Sequence, residues 1–542
     1  MMQIIFSLLL GVGHFGYMYS FVDSTLEPYS VIADAEFTDP ICGFIAATNI
    51  EALYVAYTDG TGSGSEWSCF PNGTTVTDPC APTSTWGGLT CIESDIIGIN
   101  LIDFNLTGTL APSLGNMLSL MGLSIQETSL IGSLPPSLGS LINLLEMSFE
   151  MNSLTGTVPA TLGCLTKIEV LNLGYNCLES TIPTTLSSLT NLISLVLHVN
   201  NLSGPIFTNI LVGSLFNIND VNIGYNRFDG TLPVSLCNLT NNLQYLYLGN
   251  NYFSGQLPDS LGSLTKLVMF TPVNNCFSGT IPSSLGLLTN LQYFGLQNNQ
   301  CHGSIPSSLG NLTNIQGLWL YSNSFTHTIP STLGYLTQLR IIYLEFNALS
   351  GPLPSSLGAL RQISYLFVQN NQLTSTIPES FELLTSLSYA QLNNNQLSGS
   401  IPTYMYTYPM EFLYLSNNRF RGRLPSTMSE ADLNESDGNV NSNTNGNSNE
   451  SNYQNLMYLD LQDNALTGPL GFGFNLPLLF YLNLGNNQLS GVLPTDTTSG
   501  LAPGLGTVNV GGNRAVTGTI PSAFGGLSVL HSINVSNTQI GK

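Results

Sequence analysis

Tyr245-Leu-Tyr-Leu-Gly-Asn-Asn-Tyr-Phe253 decides the fold, because its pattern returns as Val170-Leu-Asn-Leu-Gly-Tyr-Asn-Cys-Leu178 and Tyr481-Leu-Asn-Leu-Gly-Asn-Asn-Gln-Leu489. The shared frame is L-x-L-x-x-N-x-L. A second frame follows, Ser/Thr-Gly-x-Ile/Leu-Pro, as in Leu397-Ser-Gly-Ser-Ile-Pro402, and then a stretch such as Ser307-Ser-Leu-Gly-Asn-Leu-Thr313. The asparagine keeps the register at Asn152, Asn176, Asn200, Asn226, Asn251, Asn275, Asn299, Asn323, Asn347, Asn371, Asn395, Asn418, Asn464, Asn487 and Asn513, mostly in steps of 24 residues. Phe104, Thr128 and Thr538 hold its place in three imperfect copies, so the chain reads as eighteen turns. A fixed period of this length means a stacked array rather than separate globular cores.

One turn can be derived from its residues. L-x-L alternates, which points the leucines inward and the x residues outward. A lone turn cannot bury its leucines; a stacked one can. The Asn stands where the chain leaves the strand, and a column of amide side chains can satisfy buried backbone groups. Gly tolerates the tight bend that follows, and Pro sets φ near the next short strand. The Ser-Ser-Leu-Gly-x-Leu stretch predicts a short helix or 3₁₀ turn on the convex side. Eighteen strands at ~4.8 Å spacing make a curved sheet about 85 Å long.

Composition agrees. The 542 residues are 43% hydrophobic and 8% charged, too apolar for a broadly disordered chain. Ten Lys+Arg face 32 Asp+Glu, a net charge of -22, which argues against nucleic acid and anionic membrane surfaces as partners. Nine cysteines are too few for a disulfide-held scaffold of this length, and the odd count leaves at least one outside any pairing within the chain. Four lie before residue 92 and suggest a local disulfide-bonded cap; Cys164, Cys177, Cys237, Cys276 and Cys301 are dispersed through the repeats.

On the run L-S/T-G-x-I/L-P, repeated over about residues 97–540, the chain resembles the plant-type leucine-rich-repeat family of receptor-like kinases, receptor-like proteins and polygalacturonase-inhibitor proteins. The resemblance implies an α/β fold: a right-handed horseshoe solenoid, residues 97–542, with its parallel sheet on the concave face. It also implies a small disulfide-bonded N-terminal cap over residues 23–96. Ile50-Glu-Ala-Leu-Tyr-Val-Ala-Tyr-Thr-Asp59 looks like the cap helix, and Cys80-Ala-Pro-Thr-Ser-Thr-Trp-Gly-Gly-Leu-Thr-Cys91 looks like the cap's cysteine–tryptophan signature. By that likeness Cys80 pairs with Cys91, and Cys42 with Cys69 is the second expected pair. Such a cap covers the open apolar end of the first turn. The family's C-terminal cap is missing: the chain stops at Ile540-Gly-Lys542 inside a repeat, as a fragment would, and no kinase region follows.

The first ten residues, Met1-Met-Gln-Ile-Ile-Phe-Ser-Leu-Leu-Leu10, form an apolar run too short to span a bilayer. Despite lacking a basic flank, residues 1–22 read as a secretory signal. Asn72, Asn105, Asn201, Asn238, Asn311, Asn434, Asn449 and Asn534 each begin Asn-x-Ser/Thr, the acceptor of N-glycosylation in a secreted chain. A repeat rich in Asn, Ser and Thr also produces such triplets by chance. With no later segment apolar enough to cross a membrane, the expected location is secreted or on the extracellular face of the plasma membrane. Asn418 to Asn464 spans 46 residues, and the low-complexity insert at 429–452 within it reads as a mobile loop. Asn441-x-Asn443-x-Asn445-Gly446 lacks the first Asp and final Glu of a calcium loop.

No catalytic constellation stands out: G-x-S-x-G, a Walker lysine, H-E-x-x-H and C-x-x-C are all absent. His302 and His327 read as matching positions one turn apart, but two histidines without a third ligand suit exposed turns better than a metal site. Glu127 and Glu150 fall in adjacent turns facing out, on an open sheet where nothing is expected to raise a pKa. The reading is therefore a non-enzyme without metal or cofactor.

The outward strand positions carry the functional signal. Six residues before the Asn stand Tyr245, Tyr293, Tyr365, Tyr389, Phe412, Tyr458 and Tyr481; four before it stand Tyr247, Trp319, Tyr343, Phe367 and Tyr414. Alternation places both columns on the concave side, as a double aromatic stripe from the seventh turn to the sixteenth. Contiguous exposed aromatics usually mark a contact surface, and Tyr and Trp are rigid, amphipathic anchors. Gln297, Tyr321, Gln369, Asn393 and Gln462 add hydrogen-bonding neighbours, and few cations are near. The same rings also stabilise a sheet by cross-strand pairing. The expected function is extracellular recognition, receptor-ectodomain-like, of a neutral or basic peptide, a protein or a glycan, with a co-receptor as a further partner. The alternatives are a secreted inhibitor of a cell-wall-degrading enzyme, an ice- or surface-binding protein, or a structural wall protein.

Overall fold

The computed structural model describes residues 67–68, 75–76, 88–92, 95–103, 106–210, 215–239, 242–406, 409–424, 455–470, 476–494 and 502–541. The expected signal segment, Cys42, Cys69, Cys80, the sequons at Asn72, Asn105, Asn434 and Asn449, and the 429–452 insert lie outside them.

The chain winds into a solenoid of parallel strands. Its concave strands run from Asp95–Ile102 through Tyr245–Tyr247 and Tyr365–Phe367 to Ser532–Asn534, eighteen among the described residues. Each pairs with the strand one turn on in constant register, Leu246 against Phe270 and Phe270 against Phe294. The inward leucines of the L-x-L frame, such as Leu246, Leu248, Leu318 and Leu320, are fully buried.

The bend and proline of the second frame do more than the sequence suggested. Their short extended segments, such as Tyr252–Gln256, Cys276–Gly279 and Gln300–Ser304, hydrogen-bond from turn to turn into a second parallel sheet. The second residue of each faces inward and builds a column of rings, with Phe228, Phe253 and Phe277 stacked at centroid distances of 6.5 and 6.2 Å. Cys301 takes the next place in that column, where burial pushes its thiol up to about 12 and leaves it unreactive. The third side consists of 3₁₀ helices such as Ser283–Leu287, Ser307–Asn311 and Ser331–Tyr335. Their hydroxyls tie successive turns: Ser308 Oγ donates to the Ser283 carbonyl at 2.7 Å and Thr332 Oγ1 to the Ser307 carbonyl at 2.6 Å. Neutral hydroxyls and amides thus do the cross-linking, which fits a chain so poor in charge.

The asparagine column is the most regular feature. Asn347 Nδ2 donates to the carbonyls of Leu320, Leu344 and Glu345 at 3.0, 3.1 and 3.2 Å, while its Oδ1 accepts the Phe325 amide at 3.0 Å. One side chain therefore satisfies four groups in two turns. Asn347→Ala strands them in the interior and is expected to cost about 2 kcal/mol, read as a lowered denaturation midpoint.

The long gap between Asn418 and Asn464 does not break the stack. Phe412–Tyr414 pairs directly with Tyr458–Asp460, and the Phe420 amide donates to Asn464 Oδ1 at 3.0 Å. At the other end, Leu89–Ile92 runs antiparallel against Asp95–Ile102. Cys91 is disulfide-bonded; Cys164, Cys177, Cys237, Cys276 and Cys301 are free thiols.

Candidate functional site

Three outward columns make the concave surface, at six, four and two residues before each ladder asparagine. The aromatic side chains of these columns fall into three groups. Tyr245 and Tyr247 stack on each other in the seventh turn, with centroids 6.4 Å apart. Tyr293 and Trp319 stack across the next group at 6.1 Å. From Tyr321 onward the contacts are continuous: Tyr321 to Tyr343 at 6.3 Å, Tyr343 to Phe367 at 4.3 Å, and Phe367 to Tyr389 at 5.0 Å. Tyr365 joins through Tyr389, which also meets Phe412 and Tyr414 at 4.7 and 5.9 Å. Tyr458 then bridges Phe412 and Tyr414 to Tyr481. These rings are half-buried, apart from Phe367, which is 5% exposed beneath Tyr343 and Tyr389.

Two glycines shape this surface. A Cβ on Gly317 would lie 2.3 Å from Cη2 of Trp319, so the indole lies flat over the strand where other turns carry a side chain. A Cβ on Gly295 would lie 2.9 Å from Oε1 of Gln297, so that amide folds back over its own strand. The signal was legible: Gly317 interrupts an aromatic column two places before Trp319.

The third column carries the polar groups. Gln297, Tyr321, Glu345 and Gln369 follow one another in successive turns. Glu345 and Gln369 are each only 7% exposed. Burial pushes the Glu345 carboxyl up to about 7. Burial, followed by the charge of Glu345, also raises the Tyr321 and Tyr343 hydroxyls, which stay neutral. Glu345 was missed as a candidate because its burial depends on ring sizes in the flanking turns.

A second polar patch lies nearer the N-terminus. Glu150 Oε2 accepts from Asn172 Nδ2 at 2.8 Å, and His198 Nε2 stands 3.9 Å from Oε1. Burial raises the Glu150 pKa and lowers that of His198 to about 4. The expectation that an open sheet raises no pKa is therefore corrected: side chains of adjacent turns close over concave carboxylates and desolvate them. Both histidines are exposed, as expected, but they do not hold matching positions. His302 pairs with Ser324, and His327 stands in the bend position that Gly303 fills one turn earlier, at φ 66. Among the described residues no group of three His, Cys, Asp or Glu could hold a metal. No described helix is long and apolar enough to cross a membrane.

Residues 224–418 match a leucine-rich repeat region family, and 167–189 and 410–430 match single leucine-rich repeats. Receptor-like protein 41 and Receptor-like protein 39 of Arabidopsis thaliana are each 29% identical over 130 residues, 24% of this chain. That match spans only 12% of the length of either relative. Among solved structures, the plant peptide hormone receptor RGFR1 in complex with RGF2 is 31% identical over 80% of this chain and 70% of its own, with a TM-score of 0.70. The Arabidopsis receptor kinase HAESA, in complex with the peptide hormone IDA and the co-receptor SERK1, is 27% identical over 90% of each chain, with a TM-score of 0.69. Repeat, register and relatives agree, and the chain belongs to the plant-type leucine-rich-repeat family.

Proposed function

We propose that this chain is a non-catalytic, extracellular, receptor-like recognition module that takes an extended peptide along its concave face. The observation that carries the reading is the run of half-buried rings from Tyr321 to Tyr481, flanked by Tyr293 and Trp319. Stacked rings are pre-organised, so little side-chain entropy is lost when a ligand covers them. The likeness to receptors whose structures hold peptide hormones supports a peptide over a glycan, and the likeness to HAESA supports a co-receptor. Of the four described sequons, Asn238 and Asn311 are exposed on 3₁₀ helices, Val234–Leu239 and Ser307–Asn311, where glycans would leave the concave face open, whereas Asn534 ends the last concave strand, Ser532–Asn534.

The test is binding of the secreted chain to peptide and glycan arrays beside a Trp319→Ala/Tyr343→Ala variant, with circular dichroism confirming that the variant is folded. Peptide binding weakened at least tenfold in the folded variant is the expected result, the scale of losing two aromatic anchors. Undiminished peptide binding in that variant, or binding to glycans alone, overturns the reading.

A further inference from the structure

The row Gln297, Tyr321, Glu345, Gln369 is short of donors. Glu345 Oε2, Gln297 Oε1 and Gln369 Oε1 are buried acceptor atoms that meet no donor. The Gln297 amide instead hydrogen-bonds the Tyr321 hydroxyl. No lysine, arginine or histidine among the described residues pairs with Glu345. A buried acceptor left unmade typically costs about 1–3 kcal/mol, more when charged. Glu345 Oε2 and Gln369 Oε1 stand in adjacent turns, and two buried acceptors side by side, one on a carboxylate, describe the complement of a group that carries several donors and a positive charge.

The adjoining column narrows the chemistry. Tyr343 stands two residues before Glu345 on the same face and feels its charge. Tyr343 stacks on Phe367 at 4.3 Å with its ring 2° from parallel. Aromatic faces beside a carboxylate suit a flat cation better than a compact, strongly hydrated one. A guanidinium presents five N–H donors in one plane, enough for the carboxylate and the adjacent Gln369 amide oxygen. An ammonium has three donors and no face to stack. The net charge of -22 draws cationic ligands in from a distance.

We propose that this row is a socket for the guanidinium of an arginine side chain, with Glu345 as counter-ion, the Gln369 carbonyl oxygen of the next turn as a further acceptor, and Tyr343 as a wall. The proposal rests on the peptide reading above and adds a specificity to it. In the free chain Glu345 is covered, so entry requires rotation of the half-buried Tyr321 in the same column, a side-chain change of the kind common at interfaces.

The test uses the full chain and two probes. A positional-scanning library of extended peptides presents arginine, lysine or citrulline, the neutral isostere of arginine, at each place. The wild type is expected to prefer arginine over citrulline at least tenfold at one place, and over lysine more weakly. Glu345→Gln is expected to abolish that preference while keeping its affinity for the citrulline peptide. The second probe is agmatine, a small guanidinium compound, followed by NMR; its saturable binding is expected in the wild type and absent in Glu345→Gln. If no peptide binds but agmatine binds through Glu345, the socket stands and the peptide reading falls. If peptides bind without preference for arginine, or if Glu345→Gln keeps that preference, the socket is wrong. Agmatine binding that is absent or indifferent to Glu345 likewise overturns it.

Discussion

Gly334→Ala is expected to destabilise the array by about 3 kcal/mol or more, while Gly525→Ala leaves it nearly unchanged. Both glycines hold the fourth place of a 3₁₀ helix, Ser331–Tyr335 and Ser522–Gly526. A Cβ on Gly334 would lie 2.4 Å from the Ser356 carbonyl oxygen of the next turn and 2.7 Å from that residue's carbonyl carbon and Cβ. Those are backbone atoms and a short side chain held by its own hydrogen bond to Ser331, so nothing can swing aside. The two turns must separate, and separation opens the leucine and phenylalanine columns beneath. A Cβ on Gly525 meets nothing within 4 Å. The pair controls for the intrinsic effect of replacing glycine by alanine in a helical turn, which alone is worth under ~1 kcal/mol in alanine's favour. Urea denaturation of both variants, with hydrogen exchange to localise the opening, measures the difference. Equal midpoints would mean that turn spacing is not set by this glycine. The same close approach recurs at Gly115, Gly139, Gly163, Gly262, Gly286, Gly310 and Gly358, where a Cβ would stand 2.2–2.5 Å from a carbonyl oxygen of the next turn.

That example marks how far the sequence reading reaches. Whatever repeats in every turn was legible: the buried L-x-L leucines, the asparagine column, the parallel concave sheet and the convex turns. Each arises from a turn meeting an almost identical copy of itself, so one turn's residues suffice to derive it. The second sheet was read only as a bend with a short strand, because Ser-Thr-Gly-Pro composition speaks for turns when the neighbouring copy's backbone is not in view. The outward rings were legible turn by turn, but what several turns together do to one side chain was not. Glu345 looks like any outward polar residue until Tyr321, Tyr343 and Gln369 are placed around it, and its burial is a property of three turns together. Phe367 likewise reads as a surface ring, yet two tyrosines cover it.

Glu345→Gln is the second large effect, and its sign depends on pH. Burial lifts the folded carboxyl from 4.5 to about 7, so between those values the folded chain holds a proton that the unfolded chain has released. Stability falls with rising pH wherever the folded state binds more protons. The contribution of Glu345 is therefore full below about pH 4.5, is lost progressively as pH rises, and is gone above about pH 7. At 1.36 kcal/mol per unit, the loss approaches about 3 kcal/mol. Glutamine resembles the protonated acid in shape and charge, so Glu345→Gln should match the wild type near pH 4.5 and exceed it by about 3 kcal/mol at pH 8. Other groups bend the absolute curve. Asp220, raised by burial to about 6, acts in the same direction, and His198, lowered to about 4, acts oppositely. Both are common to the two proteins and cancel in the difference. The titratable side chains facing Glu345 are Tyr321 and Tyr343, which burial keeps neutral throughout this range. Urea denaturation of both proteins at pH 4.5 and 8 supplies the four numbers. A gap independent of pH would mean that Glu345 is solvated and ionised in the folded chain like any surface carboxylate. A gap that opens with pH and closes when saturating agmatine is added to the wild type would join the two observations: the folded chain keeps a buried negative charge at a cost in stability, and a guanidinium relieves it.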